Sequence, residues 1–166
     1  MKFKLNIPNL LSLIRILTTP LFILAIFHLP KHLLAWIFLV IAITDFLDGY
    51  MARNLKQVTK FGKVLDPVAD RIFMISSVIF LSLVFDTRLF IVLGRELTAL
   101  PGFMIFLIKR KSVARISIIG KITTFLQSIT VPAFLLGFDF AGLLMIITAI
   151  VGSFSGIKYT IKAIRI

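Results

Sequence analysis

Four aspartates dominate the part of this sequence that could carry chemistry. The chain has only seven acidic residues. Four of them lie in the stretch DFLDGYMARNLKQVTKFGKVLDPVAD, residues 45–70, at positions Asp45, Asp48, Asp66 and Asp70. Carboxylates that share a small volume repel one another unless cations neutralise them. Oxygen ligands suit hard divalent ions such as Mg²⁺, Mn²⁺ or Ca²⁺, whereas zinc more usually takes His or Cys. The stretch therefore predicts a carboxylate site for two hard cations.

The spacing of these aspartates predicts two helix faces that also carry small residues. The first face has the spacing i, i+3, i+4, i+7 and comprises Asp45, Asp48, Gly49 and Ala52. The second has the spacing i, i+4, i+8 and comprises Gly62, Asp66 and Asp70. A short connection lets the helices pack antiparallel, so that the carboxylates surround one volume with room for a bulky ligand. Two-cation sites commonly hold a phosphate or diphosphate, to which Arg53 could donate a forked pair of hydrogen bonds. Alternatively, single aspartates cap helix ends, and Asp66 before Pro67 fits that role.

The elements that must position these residues are typical of a membrane protein. Hydrophobic residues make up 59% of the chain and the mean hydropathy is +1.06, whereas soluble domains are about 45–50% apolar. Uncharged apolar runs of roughly 18 or more residues indicate membrane-spanning helices. We predict one all-α integral membrane domain over residues 1–166. Its six transmembrane helices are expected at about 7–29, 32–53, 62–85, 89–108, 114–137 and 140–161. The chain has no cysteine, which excludes disulfides and a cysteine nucleophile.

The net charge of +12 is distributed unevenly along the chain. Both termini and the connections after the second and fourth spans are rich in Lys and Arg, whereas only Lys31 and Arg88 lie in the remaining connections. The positive-inside rule then predicts that both termini are cytoplasmic and that the aspartates face the cytoplasm, in the inner membrane of a prokaryote. The positive charge also suits anionic lipid headgroups. Nucleic-acid binding is not expected, because the basic residues flank apolar runs without interleaved aromatics.

Charged residues within the predicted spans are further functional candidates. Arg95 and Lys121 lie on helices other than the two aspartate helices. If they face the cavity, they form a basic pocket for an acceptor that carries its own phosphate. Alternatively, Arg95 pairs internally and Lys121 extends to the inner membrane surface. Glu96 needs a partner other than Arg95, because adjacent helical residues point apart.

The aspartate stretch resembles the signature of the CDP-alcohol phosphotransferases, also called CDP-alcohol phosphatidyltransferases. It reads D-x2-D-G-x2-A-R-x8-G-x3-D-x3-D, and all eight positions match. Three further segments resemble the phosphatidylglycerophosphate synthase and cardiolipin synthase branch: NIPNLLSLIRI (6–16), GRE (94–96) and GKITTFLQ (120–127). The resemblance therefore extends over most of the chain.

This resemblance implies a homodimer with its active site open to the cytoplasmic leaflet. Two divalent ions, Mg²⁺ or Mn²⁺, would be bound by Asp45, Asp48, Asp66 and Asp70, and Asp70 would also be the general base. The CDP moiety would be bound by Gly49, Ala52, Arg53 and Gly62. From the residues themselves we further predict that Asn9 reaches the CDP moiety and that Arg95, Lys121 and Thr124 bind the acceptor. For Asn9 and Arg15 the alternative is that they anchor the first helix at the membrane interface.

The expected reaction transfers a phosphatidyl group from CDP-diacylglycerol to an alcohol and releases CMP. Glycerol 3-phosphate is the expected acceptor, although glycerophosphate-using relatives often carry GKxKT where this chain has GKITT, with Thr123. Phosphatidylglycerol, the acceptor of cardiolipin synthases, is the alternative, as are inositol phosphate and other alcohols. Outside this class, a cation transporter would also place carboxylates in the membrane, but Arg53 beside them opposes ion passage. A non-catalytic membrane scaffold would leave the carboxylates unexplained.

Overall fold

The computed structural model describes the backbone of residues 7–54, 62–108 and 118–164, and the side chains of residues 14–44, 68–105 and 118–164. Within these ranges the chain is helical and contains no strand, which confirms the all-α prediction. The helices are α1 (Ile7–His28), α2 (Lys31–Asn54), α3 (Gly62–Val84), α4 (Gly94–Ile108), α5 (Ile118–Leu135) and α6 (Ala141–Ile164). A 3-10 helix, Thr87–Leu93, lies between α3 and α4.

The fourth span differs from the prediction of a single helix over residues 89–108. The chain forms the 3-10 helix first and α4 after it. Asp86 caps the 3-10 helix by accepting from the backbone N–H of Arg88 at 2.9 Å. Gly94 closes it by donating to the Ile91 carbonyl, with φ −52° and ψ −35°, so the backbone continues directly into α4. The 15 residues of α4 alone would cover only about 22 Å of a hydrocarbon layer of about 30 Å. The seven 3-10 residues rise about 2.0 Å each and add about 14 Å.

Two of the described helices are long and apolar enough to cross a membrane, and large hydrophobic side chains are exposed. By length and composition, α5 and α6 are apolar enough to cross a membrane, with hydropathies of 1.4 and 1.7. Shorter apolar stretches occur in α1 (Ile14–His28) and α2 (Lys31–Thr44). Large hydrophobic side chains are exposed on several helices, among them Leu21, Trp36, Phe125 and Phe154. The features are those of a helical membrane protein.

Three phenylalanine rings join α1, α2 and α3. The ring centroid of Phe22 lies 5.9 Å from that of Phe38 and 5.5 Å from that of Phe73. Phe38 and Phe73 are 5.4 Å apart. All three side chains are buried, and such aromatic pairs contribute about 0.5–1.5 kcal/mol beyond the area they bury. This cluster brings side chains of the two aspartate-bearing helices, α2 and α3, into contact next to α1.

Small residues bring α4 and α6 into close contact. A Cβ on Gly156 would lie 2.7 Å from the Arg95 carbonyl oxygen and would overlap the Thr98 hydroxyl. Thr160 Oγ1 donates to the Thr98 carbonyl at 2.7 Å and accepts from the Gly102 N–H at 3.2 Å. Small residues and hydroxyl bonds of this kind are typical of helix pairs inside membranes. The contact holds the first turns of α4, which carry Arg95, against α6.

Candidate active site

Asp70 is the member of the predicted metal site whose side chain the structure describes. It lies in the third turn of α3, and its side chain is 38% exposed. The other predicted site residues of α1, α2 and α3 have side chains outside the described residues: Asn9, Asp45, Asp48, Gly49, Ala52, Arg53, Gly62 and Asp66. Their backbones are helical, as the two-face prediction requires. The convergence of the four carboxylates stays a prediction.

Arg15 of α1 reaches across to Asp70. Its Nη1 donates to Asp70 Oδ1, and its side chain is only 9% exposed. The sequence left open whether Arg15 contacts a ligand or anchors α1 at the membrane interface. The structure shows that Arg15 binds an aspartate of the motif, 55 positions along the chain. A guanidinium that bonds one carboxylate oxygen fixes the orientation of that carboxylate.

Arg71 follows Asp70 in sequence but turns toward other helices. Its Cζ lies 4.8 Å from the ring centroid of Phe103 in α4 and 5.7 Å from that of Tyr159 in α6. Guanidinium groups are stabilised over aromatic faces by the ring quadrupole. These contacts hold a positive charge between α3, α4 and α6.

A second arginine, Arg95, faces the same place from α4. Arg71 and Arg95 line a cavity of about 30 Å³ whose other walls are Ala99, Gly120, Ser155, Gly156 and Tyr159. Arg95 Nη1 donates to Thr124 Oγ1 of α5 at 2.8 Å, so two of the three predicted acceptor-binding residues lie together. Two guanidiniums around one cavity attract an anion. The cavity is large enough for a water-sized group, so it is suited to a small anionic group and not to a bulky one.

Lys121, the third predicted acceptor residue, is placed differently. Its side chain is exposed on α5 and does not line the cavity. The structure therefore does not bring Lys121 to Arg95, and its role in acceptor binding stays a prediction.

Glu96 has a hydrogen-bond partner on another helix, as predicted from its position next to Arg95. Gln127 of α5 donates from Nε2 to Glu96 Oε2 at 2.8 Å and to the Val92 carbonyl at 3.0 Å. Arg95 Nη1 is 3.9 Å from Glu96 Oε1, which is at the limit of an ion pair. Gln127 ends the segment GKITTFLQ, but no role was predicted for it or for Tyr159. Gln127 could have been identified as a polar amide inside a predicted apolar span. Nothing in the sequence distinguishes Tyr159 from the other residues of its span.

Comparison with known proteins gives a consistent set of relatives. A sequence model described as CDP-alcohol phosphatidyltransferase matches residues 5–154. The CDP-diacylglycerol–glycerol-3-phosphate 3-phosphatidyltransferase of Aquifex aeolicus (strain VF5) is 43% identical over 133 residues, covering 76% of this chain and 73% of that protein. The protein with the same name from Rickettsia felis is 36% identical over 151 residues, covering 87% and 82%. A Mycobacterium tuberculosis protein named "Probable phosphatidylglycerophosphate synthase" is 33% identical over 176 residues, covering 96% and 82%.

Proposed function

Because the chain belongs to the CDP-alcohol phosphatidyltransferase family, we propose that it transfers the phosphatidyl group of CDP-diacylglycerol to glycerol 3-phosphate. The acceptor assignment rests on the cavity that Arg71 and Arg95 line. Arg71 directly follows Asp70 in the sequence. A phosphate bound there would hold a small acceptor beside the residue proposed to take its proton. The names of the relatives from Aquifex aeolicus and Rickettsia felis specify the same acceptor.

The proposed membrane arrangement has six spans, with both termini and the active site on the cytoplasmic side. The long apolar helices and the added length of the 3-10 segment support six crossings. The distribution of Lys and Arg along the sequence supports the orientation. In this arrangement the acyl chains of CDP-diacylglycerol stay in the bilayer while its diphosphate reaches the aspartates. We further propose that the protein acts as a homodimer, as the family resemblance implies.

The phenylalanine cluster supports the convergence of the aspartates. Phe38 precedes Asp45 by seven residues, which is two turns along the same face of α2. Phe73 follows Asp66 by seven residues on the same face of α3. Since the two rings touch, the helical repeat supports a placement of both aspartates on the side from which these rings project. We therefore propose that the motif residues of the two helices share one site.

The proposed site is suited to two divalent ions, Mg²⁺ or Mn²⁺. The donors are carboxylate oxygens without sulfur or imidazole, as hard cations prefer, and the described member, Asp70, is partly open to a ligand. The residues that would hold the ions are Asp45, Asp48, Asp66 and Asp70. Divalent cations bound there supply positive charge that offsets the charge of the diphosphate and of the departing CMP.

The residues of the chain perform the remaining work of the proposed reaction. Asp70 accepts the proton of the acceptor hydroxyl, and the hydroxyl oxygen forms a bond to the lipid-linked β-phosphorus while the bond to CMP breaks. Arg15 holds Asp70 Oδ1 and so fixes the direction of the carboxylate. Arg53 and Asn9, with the small residues Gly49, Ala52 and Gly62, are proposed to bind the CDP moiety.

The proposed acceptor site places one phosphate oxygen between two guanidiniums. Arg95 is oriented by Thr124, and Arg71 by the rings of Phe103 and Tyr159. Lys121, exposed on α5, is proposed to act earlier, by attracting the anionic acceptor from the cytoplasm. An acceptor without a phosphate would lack this anchor and would bind weakly.

An acceptor panel tests the proposal. Purified protein in mixed micelles with CDP-diacylglycerol and Mg²⁺ or Mn²⁺ is given glycerol 3-phosphate, phosphatidylglycerol, inositol phosphate or serine, and CMP and lipid products are measured by mass spectrometry. We expect CMP release with glycerol 3-phosphate and a phosphatidylglycerophosphate product. Formation of cardiolipin from phosphatidylglycerol would show that phosphatidylglycerol, not glycerol 3-phosphate, is the acceptor. Cation flux in liposomes without CMP release would show that the protein is a transporter and not a transferase. The variant Asp139→Asn, which alters a carboxylate exposed in the loop between α5 and α6, controls for loss of charge.

A further inference from the structure

Gln127 holds α4 at two points, one on each side of Arg95. Its side chain is fully buried, and its amide nitrogen donates to the Val92 carbonyl and to the Glu96 carboxylate. Val92 lies three residues before Arg95, and Glu96 lies one residue after it. One side chain of α5 therefore fixes the segment from which the Arg95 side chain projects.

Gln127 contacts the segment in which 3-10 hydrogen bonding gives way to α-helical hydrogen bonding. The hydrogen-bond geometry of a 3-10 turn is poorer than that of an α-helix, so a bond from another helix adds to what holds this segment in place. A buried carbonyl or carboxylate that lacks a donor is costly in an apolar environment. Gln127 satisfies one group of each kind, which fixes the start of α4 relative to α5.

The same helix also holds the tip of Arg95. Thr124 bonds the guanidinium and precedes Gln127 by three residues, so both side chains lie on one face of α5. The base of the Arg95 side chain is confined by α6, where a Cβ on Gly152 would come within 3.0 Å of Arg95 Cβ. The guanidinium position is therefore set by two contacts from α5 and one close approach from α6.

We propose that Gln127 is a positioning residue for the acceptor: by holding Val92 and Glu96 it keeps the Arg95 guanidinium where it can bind the acceptor phosphate. The proposal rests on the proposed function, because it takes Arg95 to be a phosphate ligand. Gln127 itself lies behind Arg95 and is not among the residues that line the cavity. Its effect on the reaction passes through Arg95.

The test compares the full-length variants Gln127→Met and Thr130→Val in mixed micelles. Methionine keeps the length of the side chain and removes both N–H donors. The Thr130→Val control removes another buried hydrogen bond of α5, to Thr148 at 2.8 Å, that does not touch Arg95. We expect Gln127→Met to raise KM for glycerol 3-phosphate about tenfold, as the loss of positioning bonds would. KM for CDP-diacylglycerol should stay within about twofold, and Thr130→Val should leave both values near those of the parent protein.

Two further variants separate the possible failures. Glu96→Gln keeps an acceptor oxygen for Gln127, so its acceptor KM should stay close to the parent value, whereas Glu96→Leu should behave like Gln127→Met. If Arg95→Gln raises the acceptor KM but Gln127→Met and Thr130→Val are indistinguishable, the positioning role is wrong and the acceptor site stands. If Arg95→Gln leaves the acceptor KM unchanged, the acceptor site itself is wrong. Thermal unfolding of every variant identifies one whose activity is low because part of the protein is unfolded.

Discussion

Replacing Gly156 by alanine tests whether α4 and α6 approach as closely as the structure shows. The added Cβ would lie 2.7 Å from the Arg95 carbonyl oxygen and 2.9 Å from the Ala99 nitrogen, and would overlap the Thr98 hydroxyl. The hydroxyl can rotate away, but the other two atoms belong to the backbone, so α4 must move as a unit. Overpacking costs about 1–3 kcal/mol, and this geometry points to the upper end. Alanine regains about 1 kcal/mol of helix propensity, which leaves a net loss of about 2 kcal/mol.

Gly142→Ala is the matched control for this substitution, because Gly142 also lies in α6 and a Cβ there meets nothing within 4 Å. It should be neutral or stabilising by up to about 1 kcal/mol. For a chain of this size 1 kcal/mol corresponds to about 2–4 °C in Tm. Gly156→Ala should therefore unfold about 4–8 °C below the parent protein in detergent, and Gly142→Ala at or above it. If the two variants unfold at the same temperature, the close α4–α6 contact is refuted.

Three further outcomes are expected. Asp70→Asn should lower CMP release about 10²–10⁴-fold, as removal of a general base does, with an unchanged circular dichroism spectrum; full activity would remove the base assignment. Arg15→Ala should lower Tm as well as activity. Breaking a buried pair costs about 3–5 kcal/mol, but Asp70 is 38% exposed, so we expect about 1–2 kcal/mol; an unchanged Tm would contradict the pairing. At the other end of the molecule, the side-chain hydrogen bond from Arg88 lowers the pKa of Asp86 from 3.8 to about 2. This pair should therefore stabilise the fold above pH 4 and lose that effect as the pH falls from about 4 to about 2. Thermal unfolding across this range should show a smaller pH dependence for Arg88→Ala, and an equal dependence in both proteins would contradict the shift.

The sequence predicted most helix positions because long apolar runs and short polar connections indicate spans directly. It did not predict the 3-10 segment before α4, because that break depends on tertiary contacts. A Cβ on Gly94 would lie 2.7 Å from Ser153 Oγ of α6, and Gln127 of α5 bonds the Val92 carbonyl. Neither contact leaves a local pattern in residues 87–108.

Some residues of the candidate site could be predicted from the sequence and others could not. The four aspartates were identifiable because acidic residues are rare in this chain and their spacing is helical. The partner of Asp70 was not identifiable, because Arg15 lies on another helix and local periodicity does not show which way it faces. Arg71 adjoins the motif, so its position in the sequence alone suggests a carboxylate partner. The structure places it over the rings of Phe103 and Tyr159 instead, a contact that depends on how α3, α4 and α6 pack.

The adjacency of Asp70 and Arg71 has a mechanistic consequence for the proposed reaction. Successive residues of an α-helix point about 100° apart, so α3 directs Asp70 toward α1 and Arg71 toward α4 and α6. The proposed base and the proposed phosphate anchor therefore leave α3 in directions about 100° apart. In the proposed reaction the acceptor has to present its hydroxyl to Asp70 while its phosphate is held at Arg71, so the hydroxyl and the phosphate must be separated by several bonds. Glycerol 3-phosphate, with a hydroxyl at the end of the molecule opposite its phosphate, meets this requirement. An acceptor whose hydroxyl is adjacent to its phosphate would occupy the anchor without presenting its oxygen to the base.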